Sequence, residues 1–256
     1  MKTLHILHAG CVMKQVRDTV SRFQEENPSI TVNAKPGGSV DCIRRMIDGE
    51  PCDLIILADD AIIQSMMMPS HADGYVIFAG NSMGLVSTEG AQISTDTWRD
   101  TLLAPDATFG HFEPKGDPGG YRAVMAMMLA DRVEPGLSQK LLDHPGHMVI
   151  EGRDGPRPQF MFTYMSGAKN SGMPYAALPD EMNLGNDVLN AIYQTAVFDL
   201  GETTVTGSAI NHALTIPFSA TEKDLAKDFA ASFFQTDFSA EGFIQKHRVV
   251  GNDPLA

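Results

Sequence analysis

The sequence predicts an α/β protein built from two lobes. Three observations carry that reading. Short apolar runs alternate with amphipathic helical stretches through the first quarter of the chain. Glycine-bearing turns stand where two of the helical stretches open. Near the end, an apolar run followed by an amphipathic helix has the pattern of a strand and helix returning to the lobe where the chain began.

In order along the chain, residues 4–8 read as a strand, and 12–26 as a helix with Val12, Val16, Val20 and Phe23 at helical spacing. Asn27-Pro28 ends that helix, because the residue before proline avoids helical geometry. Residues 30–34 form a short strand, Pro36-Gly37-Gly38-Ser39-Val40 a turn, and 41–47 a helix. The apolar run 53–58 suits a strand buried in a parallel sheet. This β-α-β-α-β order predicts a doubly wound unit, with ligands at the ends of its strands.

A long extended stretch, 75–87, crosses to the second lobe. There the pattern gives a helix at 98–103, a strand at 108–111, the turn Gly116-Asp117-Pro118-Gly119-Gly120-Tyr121 and a helix at 122–129. A short helical turn at 137–142 and strands at 160–164 and 175–178 follow. Residues 146–158, rich in Gly, Pro and Arg, read as the least structured region. The returning strand is 211–217 and the closing helix 223–234, with Leu225, Ala226, Phe229, Ala230 and Phe233 inward. The expected division is lobe 1 at 1–78 plus 213–256 and lobe 2 at 79–212, hinged at 78–82 and 207–213. A cleft between lobes is the natural ligand site.

The chain has 256 residues, 43% of them hydrophobic, enough for one large or two small cores. A formal charge of −13 argues against nucleic acid and against an anionic membrane surface as partners. It gives no long-range attraction to an anion, so an anion site must rely on local dipoles. The three cysteines, Cys11, Cys42 and Cys52, lack metal-type spacing and do not form a disulfide framework; a Cys42–Cys52 bridge is left open by spacing alone. No stretch has the length and apolarity of a membrane span. Met1-Lys2 runs directly into the first strand, which leaves open both a cytosolic chain and a mature domain separated from its leader.

The glycine-bearing turns point to anion chemistry. A helix start leaves backbone N–H groups unpaired and carries partial positive charge. Glycine lets a ligand come close to those groups. The turns around Gly38 and Gly119, facing each other, would cage a small anion. His8-Ala9-Gly10-Cys11, between a strand and a helix, is a third wall.

With these pieces in order, the chain resembles the solute-binding proteins of oxyanion transporters, in particular the molybdate/tungstate-binding branch. The matching segments are His8-Ala9-Gly10-Cys11, Gly38-Ser39-Val40-Asp41-Cys42-Ile43-Arg44, Cys52-Asp53-Leu54, Leu57-Ala58-Asp59, Met68-Pro69, Phe78-Ala79-Gly80-Asn81-Ser82-Met83, Asp117-Pro118-Gly119-Gly120-Tyr121-Arg122, Leu178-Pro179-Asp180-Glu181-Met182-Asn183-Leu184 and Leu214-Thr215-Ile216-Pro217. The resemblance implies a class II periplasmic-binding-protein fold, two α/β lobes with a ligand cleft between them. It implies a periplasmic or extracellular monomer that captures a tetrahedral oxyanion such as molybdate or tungstate and delivers it to the membrane permease of an ABC transporter. No cofactor is implied beyond the bound anion. The ligand-binding residues it implies are Gly10, Cys11, Gly38 and Ser39 on one lobe, and Asp117, Gly119, Thr163 and Tyr164 on the other. In the related branch an Asp and a Glu approach the metal centre itself, as hard centres favour oxygen ligands.

The chain departs from the family pattern in three places. Cys11 stands where serine is usual, Thr163 where a glutamate is expected, and Gly152-Arg153-Asp154-Gly155 in a shortened region that otherwise carries a helix. Arg153 and Arg157 are available cations there, although solvated loop arginines are the simpler reading. These departures leave a second ligand class in play, another small anion or an organic acid.

The remaining constellations read as structural. His5 and His8 point to opposite faces of a strand, and His144-Pro145-Gly146-His147 lacks the ligands of a zinc site. Met66-Met67-Met68 and Met125, Met127 and Met128 read as core filling. Asp59 and Asp60 end a strand and read as a helix cap or surface residues rather than a catalytic pair. Cys11, at a helix start, is the best nucleophile for an enzyme on this fold, but no histidine partner is identifiable from the sequence. The reading is a binding protein, not an enzyme.

Overall fold

A computed structural model describes residues 2–151 and 155–256. Of the shortened region, Gly152, Arg153 and Asp154 lie outside the described residues, and so does the expectation placed on Arg153. The strands, in chain order, are β1 (Lys2–Ala9), β2 (Ile30–Gly37), β3 (Leu54–Leu57), β4 (Gly74–Asn81), β5 (Met83–Ser87), β6 (Phe109–Phe112) and β7 (His147–Ile150). Then come β8 (Phe160–Tyr164), β9 (Tyr175–Ala177), β10 (Val197–Asp199), β11 (Thr204–Thr206), β12 (Ile210–Thr215) and β13 (Ile244–Gly251). The chain divides into two units. Unit 1 comprises the residues up to Gly80 with Asn211–Ala240 and Ile244–Ala256; unit 2 comprises Asn81–Ile210 with Glu241–Phe243.

Unit 1 is built on a sheet of order β13-β4-β12-β3-β1-β2. β1 runs parallel to both β2 and β3, while β12 is antiparallel to β3. Every residue of β3 is buried, as its unbroken apolar run requires of a strand covered on both faces. The helices Met13–Glu26 and Lys223–Phe233 meet through Phe23 and Phe229, ring centroids 5.4 Å apart and edge to face. Before β3, the Asp53 carboxylate accepts the N–H groups of His5, Thr221 and Glu222 at 2.8–3.0 Å. Burial pushes that carboxyl upward, but the donors from His5, Glu222 and Thr221 outweigh it and hold its pKa below the usual range.

Unit 2 carries a sheet of order β7-β6-β8-β5-β9. β6 is parallel to β7 and β8, and β5 is antiparallel to β8 and β9. A separate hairpin pairs β10 with β11. The helix Pro118–Met128 buries Tyr121, Ala123, Met125, Ala126 and Met127, so two of the three methionines in this helix fill the core and Met128 is exposed.

Several features differ from the sequence reading. The helix expected from 122 opens at Pro118: proline at the first position already has helical φ and no N–H to satisfy, and Asp117 caps it. The region 146–158 includes a strand, β7, set parallel to β6 from His147 onward. β13 is unforeseen because its Gln-Lys-His-Arg content hides a strand behind exposed polar residues. Asp59 and Asp60 are buried rather than on the surface, while the cap reading holds for Asp59, whose side chain caps the helix Asp60–Ile62 by accepting the N–H of Ala61. None of the three cysteines is in a disulfide, so the Cys42–Cys52 bridge left open by spacing is not formed.

Candidate functional site

In unit 1 the parallel strands β2, β1 and β3 end at one edge, and the segments that follow them carry the candidate residues. Ala9 stands opposite Gly37 and His8 opposite Ile56, so Gly10-Cys11, Gly38-Ser39 and Ala58-Asp59 leave the sheet side by side. Gly10 and Cys11 form a short 3-10 turn that leads into the helix Met13–Glu26. A Cβ on Gly10 would meet nothing within 4 Å, so that turn is open to approach. Gly38 is extended and caps the helix Ser39–Ile47 without a side chain. Ser39 is buried, and its Oγ accepts the N–H of Ala58 at 3.0 Å. One hydroxyl lone pair is thereby used and the hydroxyl proton can be directed at an acceptor.

Cys11 is exposed. Its Sγ lies 3.9 Å from Nδ1 of His212, at the start of β12. His212 is wholly buried, and desolvation lowers its pKa to about 4 against the opposing influence of Asp59, so the ring is neutral at pH 7. Here the structure supplies the histidine that the sequence left unidentified. The signal was the returning strand itself: running antiparallel to β3, with Ala213 opposite Leu57, it places its first residues at the edge where β3 ends.

In unit 2 the parallel strands β6 and β8 likewise end together. Beyond β6, Glu113 accepts the N–H groups of Lys115 and Gly116 and folds the loop toward the helix Pro118–Met128. Asp117 caps that helix, its Oδ1 accepting the N–H of Gly119 at 2.8 Å. A Cβ on Gly119 would stand 3.3 Å from Asp117 Oδ1 and 4.0 Å from Tyr164 Cε2, so Asp117, Gly119 and Tyr164 form one cluster. Thr163, next along β8, takes the opposite side of the strand. Its Oγ1 lies 3.5 Å from the Cβ direction of Gly167. Arg157 lies with its guanidinium 5.4 Å from the ring centroid of Phe112.

Three other histidines have structural partners. His8 is buried with Nδ1 2.9 Å from the carbonyl of Ala9. The rings of His111 and His147 are tilted against each other with centroids 5.2 Å apart, and His147 stacks on Phe109. Burial lowers the pKa of all three. Among the described residues, no group of three or more His, Cys, Asp or Glu side chains is placed to hold a metal ion. Among them, too, no helix is long and apolar enough to cross a membrane.

Two units, each gathering glycine-flanked donors at the carboxyl ends of parallel strands, match a known design. Residues 4–234 match the family of bacterial extracellular solute-binding proteins. The chain belongs to this family. A solute-binding protein from Petrotoga mobilis, itself uncharacterised, is 31% identical over 84% of this chain and 74% of its own length. The molybdate/tungstate-binding protein WtpA of Pyrococcus abyssi is 27% identical over 99% of this chain and 86% of its own. In structure, the periplasmic molybdate-binding protein of Azotobacter vinelandii superposes with a TM-score of 0.65 at 13% identity, covering 95% of this solute-binding chain and 99% of that one. The fold is therefore that of the periplasmic binding proteins.

Proposed function

We propose that this solute-binding protein captures a small tetrahedral oxyanion of the molybdate or tungstate type outside the cytoplasm and passes it to an ABC permease. The observation that carries the reading is the matching composition of the two strand-end clusters. Gly10, Cys11, Gly38 and Ser39 offer amides, a thiol and a hydroxyl in unit 1, and Asp117, Gly119 and Tyr164 offer a capped helix start and a phenol in unit 2. Neutral, fixed donors hold a dianion without a counter-charge, which suits a chain of net charge −13. The similarity to WtpA over nearly the whole chain supports the same ligand class.

Asp117 favours an anion with a metal centre over sulfate or phosphate. Its Oδ1 already serves Gly119, and a carboxylate repels a bare oxyanion. An expanded shell around molybdenum or tungsten accepts a carboxylate oxygen instead. Titration calorimetry with molybdate, tungstate, sulfate and phosphate tests this. Saturable heat for the first two, at least about tenfold tighter than for the others, is expected (about 1.4 kcal/mol). No saturable heat with either metal oxyanion defeats the proposal, and preference for an organic acid replaces it with the second ligand class.

A further inference from the structure

The pairing of Cys11 with His212 has a chemistry of its own. Cys42 and Cys52 are buried, with Cys42 Sγ 3.6 Å from the carbonyl of His8 and Cys52 Sγ 3.4 Å from that of Leu54. Burial pushes the Cys52 thiol up to about 12. Cys11 differs in every respect. It is exposed, the turn before it is open over Gly10, and an imidazole nitrogen from a wholly buried ring is aimed at its sulfur. Asp59, itself buried, acts electrostatically on the same ring, its charge favouring a proton on His212. A thiol facing solvent, an imidazole nitrogen within reach of its proton and a carboxylate acting on that imidazole give the geometry of an activated thiol, with burial of the ring opposing the proton's transfer and Asp59 favouring it.

We propose that Cys11, with His212 as its proton acceptor, is an oxidation site through which hydroperoxides reversibly switch off anion capture. The thiol proton passes to His212 Nδ1 as the sulfur attacks the nearer peroxide oxygen. The S–O bond forms and the O–O bond breaks. With hydrogen peroxide the departing hydroxide takes the proton back from His212 and leaves as water; with an organic hydroperoxide the departing alkoxide takes it and leaves as the alcohol. Sulfur is oxidised by two electrons to the sulfenic acid and the peroxide is reduced. A small thiol then condenses with the sulfenic acid, releasing water and leaving a mixed disulfide. A second small thiol displaces Cys11 and restores it. Either adduct adds bulk at the turn that is open beside Gly10. The effect on capture rests on the oxyanion reading above; the reactivity of the thiol does not.

The test uses the full chain, hydrogen peroxide near stoichiometry, and a sulfenic-acid trap read by intact mass and peptide mapping. One adduct, on Cys11, is expected, forming at least about tenfold faster than on a short peptide of the same local sequence. His212→Gln is expected to bring the rate down to that of the peptide. Molybdate affinity falls at least about tenfold on oxidation and returns on reduction. In Cys11→Ser the affinity, whatever its starting value, does not change with peroxide. A native thiol no faster than the peptide overturns the proposal even if His212→Gln fails to fold, and so does an adduct on Cys42 or Cys52 alone. An adduct on Cys11 that leaves molybdate affinity unchanged overturns the switch. If the untreated protein binds no oxyanion, it is the functional reading that fails, and the adduct still decides the assignment of the thiol.

Discussion

Asp117 Oδ1 accepts the backbone N–H of Gly119 at 2.8 Å, so the carboxylate occupies a donor that the glycine-bearing turn offers to an anion. Removing the charge while keeping an oxygen acceptor separates its two roles. Asp117→Asn is expected to retain the cap, within about 0.5 kcal/mol of the parent, whereas Asp117→Ala loses about 1 kcal/mol. In calorimetric titrations, Asp117→Asn weakens molybdate and tungstate about tenfold relative to sulfate, because a neutral amide is a poorer ligand to the metal centre. Equal changes for all three anions would show that Asp117 acts only as a helix cap.

Gly119 and Gly120 are adjacent but constrained differently. A Cβ on Gly120 would stand 2.4 Å from the carbonyl oxygen of Phe112 and 2.7 Å from Cα of Pro114, so the backbone itself must move. Gly120→Ala is expected to cost about 1–3 kcal/mol in urea unfolding. On Gly119 the nearest atom is Asp117 Oδ1 at 3.3 Å, and alanine suits a helix better than glycine. Gly119→Ala therefore leaves stability within about 1 kcal/mol of the parent. If the proposed site is right, it weakens molybdate at least about tenfold, because the new methyl would stand among Asp117 and Tyr164. Unchanged affinity in Gly119→Ala would remove Gly119 from the site.

Arg122 is fully buried on the helix that Asp117 caps, and it donates to the carbonyl of Ser208 at 3.1 Å and to its Oγ at 3.2 Å. The guanidinium thus fastens that helix to the segment leading into β12. Arg122→Met keeps much of the volume but leaves a part-buried carbonyl without this donor, at an expected cost of about 1–3 kcal/mol. Arg122→Lys recovers only part, since an ammonium lacks the planar fork that reaches both oxygens. Denaturant midpoints with an unchanged slope measure both. A cost below about 0.5 kcal/mol for Arg122→Met would show the bonds to be incidental.

The strand β3 was legible because its apolar run is unbroken, and the helix Met13–Glu26 because Asn-Pro marks its end. β13 and the β10–β11 hairpin were not, since one carries exposed polar residues and the other is three residues a side. The glycine turns were visible as motifs, yet Gly119 and Gly120 belong to the first helical turn rather than the loop before it. Cys11 could be singled out alone, but its partner is 201 residues away. Only the direction and register of β12 bring His212 to it, and neither is written in local sequence.

His212 also predicts how stability depends on pH. Its folded pKa is lowered to about 4, below the value near 6.5 of an unfolded histidine, because burial disfavours the imidazolium. Above pH 6.5 both states carry the neutral ring and it contributes no slope. Between pH 6.5 and 4 the unfolded chain binds a proton that the folded chain does not, so stability falls with falling pH by about 1.4 kcal/mol per unit. The accumulated loss is about 3 kcal/mol by pH 4. His8, His111 and His147, also lowered by burial, act in the same direction, so the whole protein is expected to be acid-labile through this window. Urea unfolding at pH 7, 6, 5 and 4 measures the slope, and His212→Gln isolates the share of one ring. A variant that starts less stable but loses stability less steeply below pH 6.5 is the expected result. Parallel profiles for parent and variant would mean that His212 is protonated in the folded protein, and that the neutral imidazole assigned to Cys11 is absent below neutral pH.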